Sequence, residues 1–419
     1  MTDDSVIPLV QPGEFQDALT EVLRSGAQQL LRAAIESEVM SVLSLYSDLK
    51  LPDGRQRVVR HGHLPERQVQ TGVGPVTVSK PRIRDRDENA EEKIHYHSNL
   101  LPNYLRRSTS LDELIPALYL RGVSTNDVQQ ALSALLGVDA PNLSPDVIRG
   151  LVKSWRSLWE EWKTRDLSAR NYVYMWADGI YLKARGERES RCILVLIGAT
   201  PEGKKELIGF DDGYREDTQS WRELLLALKA RGLQIEPKLA VGDGALGFWA
   251  ALREVFGTTK AQRCWVHKTM NVLSKMPKSL QAKAKKDLQD IWMAENRVDA
   301  ETAFDLFIEK FEAKYPKATQ CLAKDRIELL AFYDFPAEHW GHIRTTNPIE
   351  STFATVRHRT RQTKNCLSRD TAMPMVFMLI KAAEKRWQKL RGKNQLPKII
   401  QGVIFKNGIE SDANQNHAA

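Results

Sequence analysis

The segment from residue 172 to residue 265 constrains the fold more than any other part of the sequence. Short apolar runs of strand length alternate there with turn signals and with amphipathic helical patterns. Three strands come first in succession, and a helix, a strand, a helix and a last strand follow. The predicted strands lie at residues 172–182, 191–199, 205–210, 238–241 and 260–265, and the predicted helices lie at residues 221–230 and 246–255.

This order of elements predicts a mixed sheet. Three consecutive strands can form a meander, and a strand that is reached through a helix can lie beside the first one. This is the order of an RNase H-like sheet, in which the first and fourth strands are neighbours. We therefore predict an α/β protein with an RNase H-like mixed sheet core. Two local predictions accompany it: Asp211 and Asp212 are turn residues before Gly213, and Ser220 caps the helix that begins at Trp221.

The first part of the chain predicts a smaller α+β region. Residues 14–50 carry apolar side chains at helical spacing, and a turn follows at residues 52–54. Residues 55–86 are basic and contain two alternating runs, 67–71 and 75–79, that are typical of a hairpin. We therefore expect a long helix followed by a β-hairpin.

Three short helices are predicted next. Two of them lie within residues 110–136 on either side of a break at Gly122, and the third begins at Ser144 and Pro145. Helix, glycine-containing turn and helix resemble a helix-turn-helix unit that binds DNA, although a three-helix packing unit without DNA contact fits the same pattern. The helical spacing of three tryptophans favours core positions for Trp155, Trp159 and Trp162.

The chain is long enough for two or three domains, and we predict six segments. They are an N-terminal helical region (1–54), a DNA-binding region with the hairpin and the helix-turn-helix-like helices (55–168), the first part of the RNase H-like core (169–267), an all-helical insertion (268–343), the final core helices (344–395) and a C-terminal tail (396–419), with residues 407–419 frayed.

Charge and cysteine content indicate the compartment and the partner. The 419 residues carry a net charge of +8, which attracts polyanions such as nucleic acid. The charge is one-sided from residue 344 to residue 369, where six cations accompany the single carboxylate Glu350. Four scattered cysteines, no secretory signal and no apolar run of membrane-spanning length predict a cytoplasmic protein without membrane contact.

Three carboxylates stand where a metal site could form. Asp178 interrupts a strongly apolar strand, Asp243 directly follows the strand 238–241 beyond Gly242, and Glu350 lies in a late helix that can pack across the sheet. Three oxygen ligands suit Mg²⁺, and two such ions can promote attack on a phosphodiester. Each residue also has an ordinary interpretation, since both aspartates could be turn residues before glycine. Glu350 could close a capping box with Asn347 as N-cap and Pro348 as the first helical residue.

Several motifs, taken together, resemble one family. They are WADG at residues 176–179, VGDG at 241–244, QRCWVH at 262–267, RTTNPIESTF at 344–353 and RHRTR at 357–361. In this order, over roughly residues 60–390, they resemble the Mutator-type transposases of bacterial insertion sequences. The resemblance implies an RNase H-like core, a helical insertion before the glutamate, and a catalytic, metal-binding triad of Asp178, Asp243 and Glu350.

The resemblance also implies DNA contacts around the triad. Arg357 lies two helical turns beyond Glu350 on the same face and could hold the phosphate next to the scissile one, although a solvated arginine fits the same position. His267 is expected near the scissile phosphate, with Cys264 packed beneath it. The other predicted DNA-binding residues are Arg344, Asn347, Arg359 and Arg361.

Zinc is the alternative for the Cys-x-x-His motif. Cys264 and His267 are half of a zinc site, and His339 and His342 could supply the other half. Zinc would then stabilise the fold, and His267 would have no role at the phosphate. The sequence leaves this alternative open.

The predicted function is transposition. The protein would bind the terminal inverted repeats of its element, cleave there with two Mg²⁺ or Mn²⁺ ions, and join the 3′-hydroxyl end to target DNA. Since two ends are joined, we expect a homodimer or a higher oligomer. A structure-selective nuclease or resolvase on the same fold is one alternative, and a non-enzymatic DNA-binding repressor derived from a transposase is another.

Overall fold

The computed structural model divides the chain into two compact units, Met1–Lys153 and Ser154–Ala419. The second unit contains the five-stranded sheet and most of the helices. The structure describes residues 18–121, 123, 125–136, 145–182, 191–213, 215–244, 246–362 and 369–411.

The first unit combines one long helix with two antiparallel strand pairs. Helix α1 packs on strand β3, strands β1 and β4 pair with each other, and strands β2 and β3 form the predicted hairpin. The elements are α1 (Ala18–Leu45), β1 (Val58–His63), β2 (Arg67–Thr71), β3 (Gly74–Val78), β4 (Pro81–Asp85), α2 (Thr109–Leu120) and α3 (Thr125–Leu136), and α4 (Pro145–Thr164) continues into the second unit.

Alternation along the hairpin explains its small core. Val76 and Val78 on β3 and Val69 on β2 are buried together with Ile35 of α1. Val69 lies directly opposite Val76 in the antiparallel register, so the same face of both strands points at the helix. The predicted hairpin is confirmed. Helix α1 ends at Leu45, before the predicted end, because the next three residues form a turn.

The helices that resemble a helix-turn-helix unit are present as α2, α3 and α4. Gly122 and residues 137–144, which include Ser144, lie outside the described residues. Trp155 and Trp162 of α4 are buried, as predicted for core positions, whereas Trp159 is only partly buried. DNA binding by these helices stays a prediction.

The second unit is built on one mixed sheet. Strands β5, β6 and β7 form an antiparallel meander, β8 lies parallel to β5 on its other side, and β9 lies parallel to β8. The strand order is therefore β7-β6-β5-β8-β9. The strands are β5 (Tyr174–Leu182), β6 (Arg191–Ala199), β7 (Lys205–Gly213), β8 (Leu239–Gly242) and β9 (Lys260–Arg263).

Helices surround this sheet and fill the rest of the unit. Residues 268–340 are largely helical, as predicted, with two short 3-10 helices at Ala331–Asp334 and Ala337–His339. A third short 3-10 helix is Lys393–Gln395. The α-helices are α5 (Thr218–Ala230), α6 (Leu246–Val255), α7 (Trp265–Leu273), α8 (Lys278–Met293), α9 (Arg297–Phe311), α10 (Pro316–Ala323), α11 (Arg326–Leu329), α12 (Trp340–Ile343), α13 (Asn347–Gln362), α14 (Arg369–Glu384) and α15 (Leu396–Ile400).

The central strand β5 is covered on both faces. Met175 and Ala177 belong to the apolar cluster that α5 and α6 share with the sheet. Trp176 points the other way, and its Nε1 donates to the carbonyl of His342 at 3.0 Å. Because side chains alternate along a strand, Asp178 lies on the same face as Trp176. Helix α13 contacts β5. The face of β5 that carries Trp176 and Asp178 is the one at which the candidate site lies.

Three local predictions are wrong. Asp211 and Asp212 are strand residues, because β7 continues opposite Leu194 and Ile193 of β6 instead of turning. The helix α5 begins at Thr218, and its N-cap is Asp217, whose carboxylate accepts a hydrogen bond from the backbone N–H of Ser220. The predicted last strand ends at Arg263, because Trp265 begins α7.

The tail is more ordered than predicted as far as residue 411. Strands β10 (Phe405–Lys406) and β11 (Ile409–Glu410) pair as a small hairpin. Asn407 and Gly408 both have positive φ, at 51° and 80°, which is the backbone of an Asn-Gly hairpin turn. Residues 412–419, which the prediction also called frayed, lie outside the described residues.

Candidate catalytic carboxylate site

Asp178 and Asp243 lie side by side because two parallel strands carry them. Ala177 of β5 is the register partner of Gly242 of β8, and each aspartate is the next residue in its chain. Strand β8 ends at Gly242, so Asp243 opens the loop beyond the strand whereas Asp178 remains within β5. The carboxyl ends of parallel strands meet at one edge of a sheet, and both side chains stand at that edge.

Glu350 comes from the first turn of α13. The helix begins at Asn347, one residue earlier than predicted, and the carbonyl of Thr346 accepts from the N–H groups of Ile349 and Glu350 at 2.9 and 3.1 Å. The Asn347 capping box is therefore not formed. The Thr346 hydroxyl lies 3.0 Å from Glu350 Oε1 and orients this carboxylate. A carboxylate in the first turn is also favoured by the helix dipole.

His267 connects the two sides of the site. It lies in the first turn of α7, which follows β9 directly, so the sheet itself sets its position. Its Nδ1 is 4.0 Å from Asp243 Oδ1, and its Nε2 is 3.8 Å from Glu350 Oε1. The structure therefore brings Asp243 and Glu350 next to one imidazole, whose charge also acts on Asp178.

Cys264 lies behind His267 and belongs to the support of the site. Its thiol is buried, and its Sγ accepts from the backbone N–H of Thr346 at 3.3 Å. Ligand atoms of Cys264, His267 and Glu350 all lie within 4.8 Å of one another. Through Thr346, the Cys-x-x-His segment fixes the start of the helix that carries Glu350.

The electrostatics of the site are those of carboxylates without a fixed counter-charge. Burial raises the pKa of Asp178 to about 7, against the charge of His267 and a hydrogen bond from the N–H of Gly179. The pKa of His267 is raised to about 9, first by its hydrogen bond with Cys264 and also by the charges of Asp243 and Asp178. At neutral pH the imidazolium is therefore the positive charge that faces these acids.

The donor set fits a divalent cation. Among the ion pairs that the described residues form, none joins an arginine or lysine to Asp178, Asp243 or Glu350, and only His267 pairs with the latter two. A carboxylate whose pKa is raised by burial is a group that a metal ion would stabilise in its charged form. Asp178, Asp243 and Glu350 are the residues that would hold it.

The two histidines of the zinc alternative lie elsewhere. His339 is buried and bonded to the hydroxyl of Tyr174 at 2.7 Å and to the carbonyl of Gly392 at 2.9 Å. His342 lies beside Lys205, with its Nδ1 3.4 Å from the lysine Nζ. Within the described part of the chain, neither histidine joins the group formed by Cys264, His267 and Glu350.

The predicted DNA-binding residues differ in exposure. Arg357 is exposed on α13, and Asn347 is exposed at the start of that helix, where it lines a cavity of about 860 Å³ with Lys205 and Arg386. Arg344 packs over the ring of Trp292 and donates to its carbonyl at 2.8 Å, and Arg359 is only 2% exposed. The side chain of Arg361 lies outside the described residues.

Two residues near the site carry no signal that the sequence analysis used. Thr346 is inside the RTTNPIESTF motif, but only the structure places its hydroxyl between Glu350 and His267, 3.5 Å from His267 Nδ1. Glu216 stands in a loop before α5, and its charge acts on Asp178. A lone glutamate beside an N-cap has no pattern that separates it from a solvated loop residue.

A mixed α/β sheet with a carboxylate cluster at one edge defines a candidate metal-dependent enzyme. The family model described as "Transposase, Mutator family" matches residues 8–390 of the chain. This protein belongs to the Mutator family of transposases.

Individual relatives agree with this assignment. The chain is 51% identical over 285 residues to the transposase for insertion sequence element IST2 of Acidithiobacillus ferrooxidans, covering 68% of this chain and 96% of that protein. It is 47% identical over 298 residues to the transposase for IS6120 of Mycolicibacterium smegmatis, covering 71% and 92%.

A solved structure, the Drosophila P element transposase strand transfer complex, gives a much weaker match. It is 11% identical, with a TM-score of 0.23 over 74% of this chain and 91% of that one, and establishes no shared fold. No helix among the described residues is long and apolar enough to cross a membrane.

Proposed function

We propose that this protein cleaves DNA at the terminal inverted repeats of an insertion sequence and joins the freed 3′-hydroxyl end to target DNA. The observation that carries the proposal is the meeting of Asp178, Asp243 and Glu350 around His267 at one edge of the sheet. The relatives named above are transposases for insertion sequences, which supports the choice of substrate.

We also propose that the sheet is an RNase H-like core. Its first three strands form an antiparallel meander, and its fourth and fifth strands run parallel to the first. This order supports the fold because it puts the first and fourth strands, with their aspartates, next to each other. The helical stretch between β9 and α13 supports the predicted insertion.

The chemistry assigned to the site is metal-assisted attack on a phosphodiester. Two Mg²⁺ or Mn²⁺ ions would activate the attacking water or 3′-hydroxyl and stabilise the leaving oxygen. The protein supplies the three carboxylates, holds Glu350 through Thr346, and presents His267 as a positive charge beside the reacting phosphate. The set offers ligands and no nucleophile, so no covalent protein–DNA intermediate is expected.

The rest of the chain would hold the DNA. The first unit would bind the inverted repeats, and basic residues of α13, with Arg357 the most exposed of those described, would contact phosphates. Two element ends react together, so the active form is a homodimer or a higher oligomer. Membership of a transposase family favours this function over that of a resolvase, and the presence of all three carboxylates favours it over a repressor.

A strand-transfer assay with labelled DNA that carries the element ends tests the proposal. Asp178→Asn, Asp243→Asn and Glu350→Gln should each lower cleavage at least about 10³-fold, since each removes a ligand charge, while binding to the ends survives. Asp290→Asn, at an exposed position of α8, is the matched control and should cleave normally. Cleavage without joined product would indicate a nuclease, and binding without cleavage by the wild type would indicate a repressor.

A further inference from the structure

Glu216 reaches the edge of the sheet where Asp178 and Asp243 stand, and it does so from the opposite face to Glu350. It lies between β7 and α5, directly before the N-cap Asp217. Helix α5 packs on the face of the sheet that Met175 and Ala177 occupy, whereas Asp178 lies on the face of Trp176. The two glutamates therefore approach the aspartates from the two sides of the sheet.

Two glycines leave the space in which the Glu216 segment lies. A Cβ on Gly179, the residue after Asp178, would stand 2.2 Å from Glu216 Oε1. A Cβ on Gly247, in the helix after Asp243, would stand 2.4 Å from the backbone oxygen of Glu216. No side chain larger than hydrogen fits at either position without moving Glu216. The strand that carries Asp178 and the helix that follows Asp243 are thus both shaped around this one residue.

The Glu216 carboxylate is half-buried there, and the ion pairs that the described residues form give it no counter-charge. Its hydrogen-bond partner is the thiol of Cys192, with 3.6 Å between Sγ and Oε1, and no arginine or lysine pairs with it among the described residues. Burial raises the pKa of Glu216, as does the charge of Asp243, whereas Cys192 and His267 lower it. Burying a carboxylate beside two others is costly, and a positive charge at the site would offset this cost.

We propose that Glu216 is a fourth carboxylate ligand of the divalent-cation site and holds an ion from the face opposite to Glu350. This inference rests on the proposed function, because it assigns Glu216 to the same metal site. Mg²⁺ and Mn²⁺ favour oxygen donors, and two ions need more donors than three carboxylates supply alone. Four carboxylates also carry the charge that two divalent cations balance.

Calorimetric titration of the full-length protein with MnCl₂, without DNA, tests the proposal independently of catalysis. Glu216→Gln keeps the shape and removes the charge, and it should weaken Mn²⁺ binding about tenfold or more, or abolish one of two binding events. Glu223→Gln is the matched control, because Glu223 is exposed on the adjoining helix α5, and it should bind as the wild type does. Asp178→Asn is the positive control and should also weaken binding.

A second variant separates a ligand from a distant charge. Glu216→Asp keeps the charge and withdraws it by one methylene group, so a direct ligand should lose affinity while a long-range electrostatic role would leave affinity unchanged. Melting in EDTA should show both variants folded. Wild-type affinity in Glu216→Gln, with loss in Asp178→Asn, would overturn the assignment of Glu216 and leave the proposed function standing. Wild-type Mn²⁺ affinity in Glu216→Gln and also in Asp178→Asn would overturn the metal site itself.

Discussion

Two partly buried strand aspartates, Asp85 at the end of β4 in the first unit and Asp178 within β5 in the second, have opposite electrostatic surroundings. Asp85 is 2% exposed, and its oxygens accept from Arg57 at 2.9 and 3.0 Å and from the N–H groups of Ile94 and Asp87. Arg57 lowers the pKa of Asp85 far below its ordinary value. For Asp178, burial raises the pKa to about 7, and among the described residues the N–H of Gly179 is its one hydrogen-bond donor.

This difference is the one expected between a structural carboxylate and one that we propose as a metal ligand. A fold that needs a buried carboxylate for stability supplies its counter-charge and its donors, as around Asp85. A fold that needs a carboxylate for a ligand leaves it without them, and the folded chain then bears the cost of burial. The nearest titratable cation of the second site is His267, a weaker and reversible charge. The surroundings of Asp178 therefore support the proposed site independently of the motifs.

The first prediction is that isosteric neutral substitutions at the two aspartates change stability in opposite directions. Asp85→Asn removes the nearer of the two carboxylates that pair with Arg57, the other being Asp87, and should lower the free energy of unfolding of the first unit. Asp178→Asn removes a desolvated charge that no arginine or lysine of the described residues pairs with. It should raise the free energy of unfolding of the second unit by about 1 kcal/mol in EDTA. Hydrogen exchange resolved along the chain measures each unit separately. A loss of stability in both variants would remove the distinction between the two aspartates.

The same pair should respond oppositely to pH. The pKa of Asp178 lies above its ordinary value of 3.8. The loss of stability that its charged form causes is therefore absent below about pH 4, grows as pH rises, and is complete above about pH 7. The pKa of Asp85 lies below that value, so its stabilisation is present above about pH 4 and is lost in acid. Asp178→Asn should therefore gain more stability at pH 8 than at pH 5, whereas the loss in Asp85→Asn should be equal at both.

The sequence predicts the sheet better than it predicts the surroundings of the site. Unbroken apolar runs predict buried strands such as β6. The resemblance to the transposase family predicts the roles of Asp178, Asp243 and Glu350. Asp211 and Asp212 were mistaken for turn residues because local propensity cannot show that β6 continues opposite them. Which strand pairs with which depends on the tertiary structure and cannot be predicted from local sequence.

Packing decides several features that spacing leaves open. The apolar positions that predict helix α1 include Leu19, Val22 and Leu30, yet the structure leaves these more than 60% exposed and buries Ile35. Histidine spacing allowed His339 to be a zinc ligand, whereas the fold bonds it to Tyr174. Glu216 carries no motif at all. Only the structure shows that its carboxylate lies beside Gly179, the residue after Asp178.

The next prediction concerns His267, the titratable cation of the candidate site. If His267 is not a zinc ligand, the His267→Ala variant should fold normally and bind the element ends. It should cleave roughly 100-fold more slowly, because a positive charge beside the reacting phosphate is lost. Purified wild-type protein should contain no stoichiometric zinc and keep its melting temperature in a chelator.

Metal analysis before and after chelation provides the check on His267. One zinc per chain, with unfolding on its removal, would instead make Cys264 and His267 structural ligands. In that case Glu350, whose ligand atom is within 4.8 Å of theirs, would be drawn into the zinc site, because His339 is bonded elsewhere. The contrast with the fixed ion pair of Asp85 would then disappear.

The last and smallest predicted effect contrasts two arginines. Arg57 is committed to Asp85, whereas Arg357 is exposed on α13, with its guanidinium 5.9 Å from the ring of Phe353. Since Arg357 lies two turns beyond Glu350, it is placed to hold a phosphate near the scissile one. Arg357→Ala should lower cleavage about tenfold, lower DNA affinity no more than about threefold, and reduce the slope of log affinity against log salt by about 1. Arg253→Ala, at an exposed position of α6 on the other face of the sheet, is the matched control and should change none of these. Equal losses of cleavage and affinity in Arg357→Ala would make it an ordinary backbone contact, with no special relation to the carboxylates.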